Sequence, residues 1–432
     1  MVYAAGLDFG TSGARLVAID EAQQTVATTQ VAYGQHSANS DWASCWLSAL
    51  QQVLAALPVA VRSQLAVIAI NGTSGTVVLC DELGHSITPP LLYNDDCGHA
   101  YGEQLADIAP SGSPVLSATS SLVKLLWWKN TLPPEQQQSV RHLLHQADWL
   151  AGQLHGKLGL SDYHNALKLG YDIGSLAYPT WLLTLAETLD IAHWLPQVQA
   201  PGSLFGPVSD RASDRYDLPR DCMILAGTTD SIAAFLASGA RSPGDAVTSL
   251  GSTLVIKLLS TTRVDDSRYG IYSHRLGDLW LVGGASNTGG AVLRQFFTDD
   301  ELQSLSVQVP RDRPSPLDYY PLSRRGERFP ISDPTLAPRL TPRPENPVDF
   351  LHGLLEGMAR IEAQGYERLC ALGATAPTQI MTAGGGAQNL TWRAIRDRWL
   401  PVPVTIAAST EAAFGTAGLA LRGWQSQLSP RP

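Results

Sequence analysis

A short loop near the start of the chain carries residue types that can bind phosphate. Residues 5–20 read AGLDFGTSGARLVAID, in which two glycines, a threonine and a serine lie between two apolar segments. A dinucleotide-binding loop would show G-x-G-x-x-G followed by a helix, and a P-loop would carry a lysine before its Ser or Thr. The stretch has neither pattern, and it instead predicts a strand, a tight turn and a second strand.

The turn of this predicted hairpin offers backbone amides and hydroxyls that can surround a phosphate as a small nest. Asp8, near the end of the first strand, would lie beside such a phosphate, where only a cation makes a carboxylate tolerable. One interpretation of the loop is therefore a Mg²⁺ site at Asp8. A second interpretation, an ordinary hairpin with a polar tip, stays open from the loop alone. The predicted phosphate-binding residues are Gly10, Thr11, Ser12 and Gly13.

A second hairpin of the same type occurs in the other half of the chain. Residues 246–260 read AVTSLGSTLVIKLLS, a strand, a turn at Gly251, Ser252 and Thr253, and another strand. Two hairpins of one type predict a duplicated domain, with two phosphate-binding turns facing each other across a cleft. This layout resembles the actin, heat-shock-70 and hexokinase clan. We therefore expect an α/β protein of two actin/hexokinase-type (ribonuclease H-like) domains around a central cleft, at 1–240 and 241–432.

The rest of the chain alternates strand-like and helix-like segments, as in an α/β core. Residues 139–154 show helical periodicity, which would place His142 and His145 on a solvated helix face. Residues 223–227 predict a buried strand, and a helix follows that ends near Gly239. A further helix is predicted from about 289 to 297. The composition of residues 310–347, rich in proline and arginine, is typical of a flexible linker.

Length, charge and cysteine usage limit the class of protein. The chain of 432 residues is long enough for two domains, and 44% of its residues are hydrophobic, as in a soluble globular protein. A net charge of −9 disfavours nucleic acid and anionic membranes as partners. The five scattered cysteines indicate reduced thiols. The chain enters a strand-like segment at once, so we expect no targeting peptide and a cytoplasmic protein.

Seven motifs in a shared order resemble the FGGY family of carbohydrate kinases, from residue 7 to about 423. Each motif is short, but their common order is specific. The motifs are GLDFGTSGARLVAID (6–20), HQADWLAGQLHGKLGLSDYHNA (145–166), ILAGTTDSIAAFLASGA (224–240), SLGST (249–253), YYPLSRRGERFPISDP (319–334), HGLLEGMA (352–359), and TAGGGAQNLTWRAIRDRWLPVPV (382–404) with EAAFGTAGLA (411–420) after it.

The resemblance implies roles for individual residues. Asp230, at a helix N-terminus, would be the base that takes the proton of a sugar hydroxyl, with Asp8 as its catalytic partner. Arg15 would neutralise phosphate charge, or lie as a surface residue of the hairpin. Asn389 would either cap a helix or contact the base. The remaining ATP-binding residues would be Gly251, Ser252, Thr253, Gly384, Gly385 and Gly386. The 310–347 segment would then be ordered rather than a linker.

Departures from the family pattern concern the predicted sugar contacts. Where xylulose kinases carry a G-Q-M-H-G type turn, this chain has G-T-S-G at 72–75, and where many members carry W-Q-D-x-R it keeps only Asp95. Ser74 and Asp95 are therefore the predicted sugar contacts, together with Asp8 and Asp230. A small open pocket with a serine hydroxyl resembles the plant and cyanobacterial D-ribulose kinases, a xylulose kinase-like branch of the family.

Three functional hypotheses follow from the sequence. The first is an ATP- and Mg²⁺-dependent kinase, a monomer or homodimer, that converts D-ribulose to D-ribulose 5-phosphate, with xylulose or another polyol as the alternative substrate. The second is an actin-like or heat-shock-like ATPase that works by conformational switching, which Asp230 and the GERFP segment disfavour. The third is a sugar-sensing relative without turnover, which the presence of both Asp8 and Asp230 disfavours.

Overall fold

The computed structural model describes residues 2–34 and 41–428. The chain forms two compact units, Met1–Ala237 together with Glu411–Pro432, and Ser238–Thr410. Each unit is built around a six-stranded mixed sheet, counted over the described residues. In the same residues, no helix combines the length and apolar character needed to cross a bilayer.

The first unit carries a mixed sheet whose three central strands are parallel. The sheet has the order β3-β2-β1-β4-β10-β9. Strand β1 is antiparallel to β2 and parallel to β4, and β4 is parallel to β10. The strands of this unit are β1 (Tyr3–Phe9), β2 (Gly13–Ile19), β3 (Thr25–Ala32), β4 (Leu65–Gly72), β5 (Val77–Cys80), β6 (His142–His145), β7 (Leu160–Asp162), β8 (Gln197–Gln199), β9 (Leu204–Pro207) and β10 (Met223–Thr229).

Helices cover one face of this sheet with large apolar side chains. Trp46 and Leu50 of α1 and Leu150 of α6 pack in one cluster with Leu7 and Ile68 of the sheet. The central strands are apolar on both faces, as expected for parallel strands buried on both sides. The helices of the unit up to Ala237 are α1 (Trp42–Ala55), α2 (Val59–Arg62), α3 (His99–Leu105), α4 (Ser121–Thr131), α5 (Pro134–Ser139), α6 (Gln146–His155), α7 (Thr180–Thr188), α8 (Asp210–Tyr216) and α9 (Asp230–Ala237).

The C-terminal helix of the chain, α14 (Ala412–Leu428), covers the opposite face of the same sheet. Its small side chains Ala413, Ala417 and Ala420 pack against Ala4 and Val67. The helix packs in this way, while the division at residue 240, which assigned the last helix to the second domain, stays a prediction. The physical reason for the packing is that the apolar second face of β1 and β4 must be buried. The functional roles assigned to the two domains stay predictions.

The second unit repeats the strand plan of the first. Its sheet has the order β13-β14-β12-β11-β15-β16. Strand β11 is antiparallel to β12 on one side and parallel to β15 on the other, which matches β1 between β2 and β4. The prediction of a duplicated α/β domain is therefore confirmed. The strands are β11 (Asp245–Leu250), β12 (Leu254–Ser260), β13 (His274–Leu276), β14 (Leu279–Ser286), β15 (Gln379–Ala383) and β16 (Val404–Ile406).

The core of the second unit forms around its longest helix. Phe350, Leu354 and Met358 of this helix pack in one cluster with Tyr319 and Phe329. Tyr319 and Phe329 belong to the proline-rich segment and are each 1% exposed, so the composition-based prediction of a flexible linker is wrong. The helices are α10 (Gly290–Leu293), α11 (Asp299–Ser306), α12 (Pro347–Ala371) and α13 (Leu390–Trp399).

A buried ion pair ties two helices of the second unit to its central strands. Arg396 of α13 donates from Nε to Glu362 Oε2 of α12 at 2.6 Å and from Nη2 to Oε1 at 2.7 Å. Glu362 also accepts from Thr248 Oγ1 of β11 at 2.5 Å. Arg396 donates to Thr382 Oγ1 of β15 at 2.6 Å. Both charged side chains are fully buried, so each depends on the other for compensation.

Two predicted helices differ from the observed elements. Residues 139–154 contain strand β6, which pairs with β5, and only then helix α6. His145 ends the strand fully buried, with Nδ1 3.0 Å from Asp148 Oδ2, so the predicted solvated helix face is wrong. Pairing with a neighbouring strand overrides the local helical pattern of HLLH. The helix predicted from 289 to 297 spans only Gly290–Leu293.

Replacing Arg396 tests the weight of the buried ion pair. Arg396→Leu should lower the free energy of unfolding in urea by about 3–5 kcal/mol, because Glu362 is left charged and buried. The partly exposed Arg393, on the same helix, provides the control Arg393→Leu, for which we expect a change within about 0.5 kcal/mol. Equal losses in the two variants would contradict the assigned role.

Candidate active site

The predicted catalytic residues of the first unit lie at one edge of its sheet. Phe9 of β1 pairs with Gly72 of β4, and Gly72 pairs with Thr229 of β10, so the three parallel strands end in register. Asp8 precedes the end of β1, and Asp230 directly follows β10. Ligands of open α/β sheets bind outside the carboxyl ends of such strands. The sheet register therefore brings Asp8 and Asp230 to a common edge.

The two carboxylates interact through their charges. Burial and, to a smaller extent, the negative charge of Asp230 together raise the pKa of Asp8 to about 6, while the positive charge of Arg15 opposes this rise. Asp8 Oδ1 is buried and has no hydrogen-bond partner within the described part of the chain. Asp230 begins α9, and its Oδ1 accepts from Ser231 N at 2.6 Å. A desolvated oxygen beside a second carboxylate is an arrangement that a divalent cation stabilises.

The first predicted phosphate turn is an exposed hairpin tip. Gly10 N donates to Gly13 O at 3.0 Å, which closes the turn, and Thr11 and Ser12 are exposed between them. Their hydroxyls and amides are therefore accessible to a phosphate, as the nest interpretation requires. That Gly10, Thr11, Ser12 and Gly13 contact phosphate stays a prediction.

Arg15 pairs across the hairpin with Asp8, which explains its effect on the carboxylate. Its guanidinium also forms an ion pair with Glu411 and donates to Gln30 Oε1 at 3.1 Å. The side chain is 39% exposed. Arg15 therefore already has an acidic partner, and its predicted role in neutralising phosphate stays a prediction.

Two of the four predicted sugar contacts, Ser74 and Asp95, lie in neighbouring turns. Ser74 is partly buried in the turn that follows β4, where Gln146 Oε1 accepts from Thr73 N at 3.0 Å. Asp95 Oδ2 accepts from Leu92 N at 2.6 Å and so stabilises its own turn. Ser74 follows β4, the strand between β1 and β10, but the contact of either residue with a sugar stays a prediction.

A buried lysine that the sequence analysis missed joins these two turns. Lys124 of α4 is fully buried, and its Nζ donates to Gly75 O at 2.8 Å and to Leu92 O. Burial lowers the pKa of Lys124 to about 8, against the attraction of Asp95. One ammonium group thus holds the Ser74 turn beside the Asp95 turn. A lone lysine inside the apolar segment SLVKLLWW was the sequence signal that could have identified it.

A second missed lysine lies close to Asp230. Lys168 belongs to the 3₁₀ turn Ala166–Leu169, and a Cβ built on Gly75 would lie 3.9 Å from its Nζ. Burial lowers the pKa of Lys168, and the charge of Asp230 opposes that effect. The ammonium therefore lies near both the Ser74 turn and the predicted base. Sequence reasoning could not find it, because the turn that carries it gave no periodic signal.

A buried hydrogen-bond network fixes the 3₁₀ turn that carries Lys168. Asp162 Oδ1 accepts from His164 N at 2.8 Å and from Asn165 N at 3.1 Å. His164 Nδ1 lies 2.8 Å from Thr228 Oγ1, which links the turn to β10 just before Asp230. Burial, with a contribution from Asp148, raises the pKa of Asp162. The position of Lys168 relative to Asp230 is thus set by buried polar contacts.

The predicted nucleotide-binding residues of the second unit meet at one cavity. Ser249 of β11 pairs with Ala383 of β15, so the loops after both strands leave the sheet at the same edge. The cavity has a volume of about 800 Å³. Predicted residues that line it are Gly251, Ser252, Gly385, Gly386 and Asn389. Other lining residues, which the sequence analysis did not predict, include Arg294, Arg311, Gln303 and Trp392.

Gly384 and Asn389 also have structural roles of their own at this cavity. Gly384 has φ +81°, and a Cβ there would lie 2.8 Å from Leu250 O, so only glycine fits beside the strand end. Asn389 Oδ1 accepts from Trp392 N at 2.9 Å, which makes it the N-cap of α13, and its Nδ2 donates to Ser306 Oγ at 2.9 Å. The helix-cap role of Asn389 is thereby observed, while its contact with a base, and the roles of Gly384 and Thr253, stay predictions.

Comparisons with known proteins cover nearly the whole chain. The N-terminal domain of the FGGY family of carbohydrate kinases matches residues 3–237, and its C-terminal domain matches residues 246–424. The xylulose kinase of Staphylococcus xylosus is 21% identical over 451 residues, 98% of this chain and 92% of that protein. The xylulose kinase of Lactococcus lactis is 24% identical over 271 residues, 59% of this chain, so the match spans about half (53%) of that relative.

A solved structure shows the same fold. The crystal structure of xylulose kinase from Rhodospirillum rubrum superposes with a TM-score of 0.83 at 22% identity, covering 98% of this chain and 90% of that one. The predicted two-domain α/β fold of the actin/hexokinase type is therefore confirmed.

Replacing Asp8 tests the cost of its buried charge. Because its folded-state pKa is raised to about 6 from 3.8, the folded protein loses stability as the pH rises through that interval and stays less stable above it. Without Mg²⁺ or nucleotide, Asp8→Asn should therefore raise the free energy of unfolding by about 2–3 kcal/mol at pH 8, and by much less near pH 4.

Urea titrations at the two pH values measure this difference. The exposed Asp107 provides the matched control, and Asp107→Asn should leave the stability unchanged at both. A gain for Asp8→Asn that is the same at pH 4 and pH 8 would show that the charge of Asp8 is not its cause.

Proposed function

The chain belongs to the FGGY family of carbohydrate kinases, and we propose that it is an ATP-dependent kinase that transfers the γ-phosphate to a hydroxyl of a ketopentose. The observation that carries the proposal is the pair Asp8 and Asp230 at one sheet edge, with the pKa of Asp8 raised to about 6. Phosphoryl transfer asks a protein for alignment, charge neutralisation and a group that accepts the alcohol proton.

Asp230 is the proposed general base. It stands at the N-terminus of α9, where the helix dipole favours the ionised carboxylate. As an anion it accepts the proton of the sugar hydroxyl while that oxygen attacks the phosphoryl group. The buried 3₁₀ turn behind it places Lys168 nearby, which keeps a positive charge beside the carboxylate.

Asp8 is the proposed anchor for Mg²⁺, through water. Its buried Oδ1, which has no hydrogen-bond partner in the described ranges, and the neighbouring charge of Asp230 fit a divalent cation with oxygen ligands. Bound Mg²⁺ would neutralise charge on the phosphates during transfer. The exposed turn from Gly10 to Gly13 would offer its amides and hydroxyls to phosphate, and Arg15 would add a positive charge beside Asp8.

The cavity of the second unit is the proposed nucleotide site. Its volume of about 800 Å³ is within the range of small-molecule and cofactor pockets. The adenosine would lie against the backbone of Gly384, Gly385 and Gly386, with Asn389 beside the base. The phosphates would lie at the turn formed by Gly251, Ser252 and Thr253.

D-ribulose is the proposed sugar. The proposal depends on the G-T-S-G turn, in which Ser74 offers a small hydroxyl, and on Asp95 in the adjacent turn. The link made by Lys124 between the two turns supports a single pocket built from both. Lys168 adds an ammonium group that can donate to a sugar oxygen beside Asp230.

D-xylulose is the alternative sugar, because the relatives described above are named xylulose kinases. Other polyols, and a sugar-sensing role without turnover, are further alternatives that the same assay separates. We also propose that the protein acts in the cytoplasm as a monomer or homodimer.

Coupled measurement of ADP release against a panel of pentuloses and polyols tests the activity. We expect the highest kcat/KM with D-ribulose, and a higher value with D-xylulose would transfer the assignment to the alternative. Asp230→Asn should lower kcat by about 10²–10⁴-fold, because the proton acceptor is removed. The exposed Asp221, just before β10, provides the control Asp221→Asn. Equal kcat values for wild type and Asp230→Asn would refute the general-base role.

Replacing Lys168 tests its place in the sugar site. Lys168→Met should raise KM for the sugar by about 10- to 100-fold, because a hydrogen bond to a charged group is lost. KM for ATP should stay within about twofold, since Lys168 belongs to the sugar-binding edge. The exposed Lys157 provides the control Lys157→Met. A parallel rise in both KM values would contradict this assignment.

A further inference from the structure

A buried glutamate of the proline-rich segment satisfies four hydrogen-bond donors. Glu327 is 3% exposed. Its Oε2 accepts from Ser286 Oγ at 2.5 Å and from Tyr320 OH at 3.2 Å. Its Oε1 accepts from Asn287 N and Arg328 N, each at 2.9 Å. Both carboxylate oxygens are therefore committed to protein donors, and two of these donors belong to the segment that leaves β14.

That segment, residues 286–291, will be called the support turn, and Gly251–Thr253 the phosphate turn. Backbone hydrogen bonds join the two. Gly290 N donates to Gly251 O at 2.8 Å, and Ala291 N donates to Ser252 O at 3.0 Å. Just after the phosphate turn, Leu254 N donates to Thr288 O at 2.7 Å. The support turn thus holds carbonyls at the phosphate turn and the first amide after it.

The backbones of the support turn and the phosphate turn are in close contact at Gly289. Gly289 has φ +140°, and a Cβ there would lie 2.8 Å from Ser252 O and 2.7 Å from Thr253 C. A side chain at this position would displace the phosphate turn, so the glycine is required by the close approach. Any movement of the support turn is therefore transmitted directly to the phosphate turn.

The phosphate turn faces the cavity proposed to bind the nucleotide. Gly251, Ser252 and Gly290 all line it. Amides that bind phosphate must be held within about 0.5 Å of their productive positions. Within the phosphate turn, Gly251 N donates to Thr253 O at 3.2 Å, and the pairing of Leu250 with Leu254 closes the hairpin on either side of it. The hydrogen bonds from the support turn therefore help to set the geometry of the phosphate turn.

We propose that Glu327 is a positioning residue for the nucleotide phosphates, which acts by holding the support turn against the phosphate turn. This inference rests on the proposed function, because it assumes that phosphates bind at Gly251–Thr253. It assigns a role to the GERFP sequence of the proline-rich segment. Glu327 does not touch the ligand, so its loss should affect the phosphates and not the adenosine.

Four donors point at residue 327, so a carboxylate, which only accepts hydrogen bonds, fits this position better than an amide. A glutamine would keep one acceptor for the two backbone amides and present an NH₂ group to Ser286 and Tyr320. Those hydroxyls would then have to act as acceptors, although Ser286 Oγ already accepts from Thr288 N at 3.1 Å. Glu327→Gln therefore preserves volume but weakens one half of the contacts, whereas Glu327→Ala removes all four.

Calorimetric binding of ADP and of adenosine to the full chain tests the proposal. Glu327→Ala should raise Kd for ADP at least tenfold and leave Kd for adenosine within about twofold. Glu327→Gln and Ser286→Ala should each raise Kd for ADP by a smaller factor, again without affecting adenosine. Glu345, an exposed glutamate of the same segment, provides the control Glu345→Ala, for which both constants should match wild type.

Each outcome decides the proposal. Weakening of ADP and adenosine by the same factor would show a general loss of structure, and unchanged ADP binding would show no positioning role; either result overturns the inference while leaving the kinase assignment intact. If Glu327→Ala does not fold, the selective loss of ADP binding in Glu327→Gln decides instead. A wild-type protein that binds neither ADP nor adenosine would overturn the proposed function, and this inference with it.

Discussion

The hydrogen-bond register of the parallel strands is the constraint on which the candidate active site depends. Phe9, Gly72 and Thr229 stand side by side, so three loops that are far apart in the sequence begin at one edge of one sheet. A slip of one residue in any of these strands would reverse the faces of its side chains and move Asp8 or Asp230 away from that edge. The second unit uses the same rule, because β11 and β15 end together and deliver the phosphate turn and the glycine run to one cavity.

Buried charged side chains in the two units differ in whether protein groups compensate their charge. In the second unit, Glu362 and Arg396 neutralise each other, and Glu327 is fully hydrogen-bonded, so these groups fix structure. In the first unit, one buried oxygen of Asp8 has no hydrogen-bond partner among the described residues, the charge of Asp230 lies close to it, and the pKa of Asp8 is raised to about 6. Such an arrangement costs stability when the ligand is absent, which is the usual signature of a binding site rather than of a scaffold. The contrast separates residues that support the site from residues that meet the ligand.

The sequence predicted the features that local patterns encode. The two hairpins were predicted from their turn residues. Because both have the same strand–turn–strand pattern, the sequence also predicted that each belongs to a domain of the same fold. Asp230 was identified through the resemblance of its motif to the FGGY kinases, and the local pattern placed it at the N-terminus of a helix. The helix predicted over residues 139–154 was right from Gln146 onward but wrong over His142–His145, because the pairing of β6 with β5 is a tertiary contact that no local pattern shows. Lys124 and Lys168 were missed for a related reason, because their roles depend on contacts with turns that are distant in the sequence. Lys124, for example, donates to the carbonyl of Gly75, 49 residues away. The role of the proline-rich segment was likewise hidden, since composition describes its residues and not their buried partners.

The position of α14 has a consequence for how the protein is made. The second unit is one continuous stretch, Ser238–Thr410, whereas the first unit needs its last helix to cover the face of β1 and β4. During synthesis on the ribosome, one apolar face of the N-terminal sheet therefore stays solvent-exposed until residues 238–410 and the final helix have been translated. The inserted unit can complete its own core in that interval. Docking of the final helix onto the sheet would then be the last step of folding. A nascent chain stalled before Glu411 would expose an apolar sheet face that chaperones can bind.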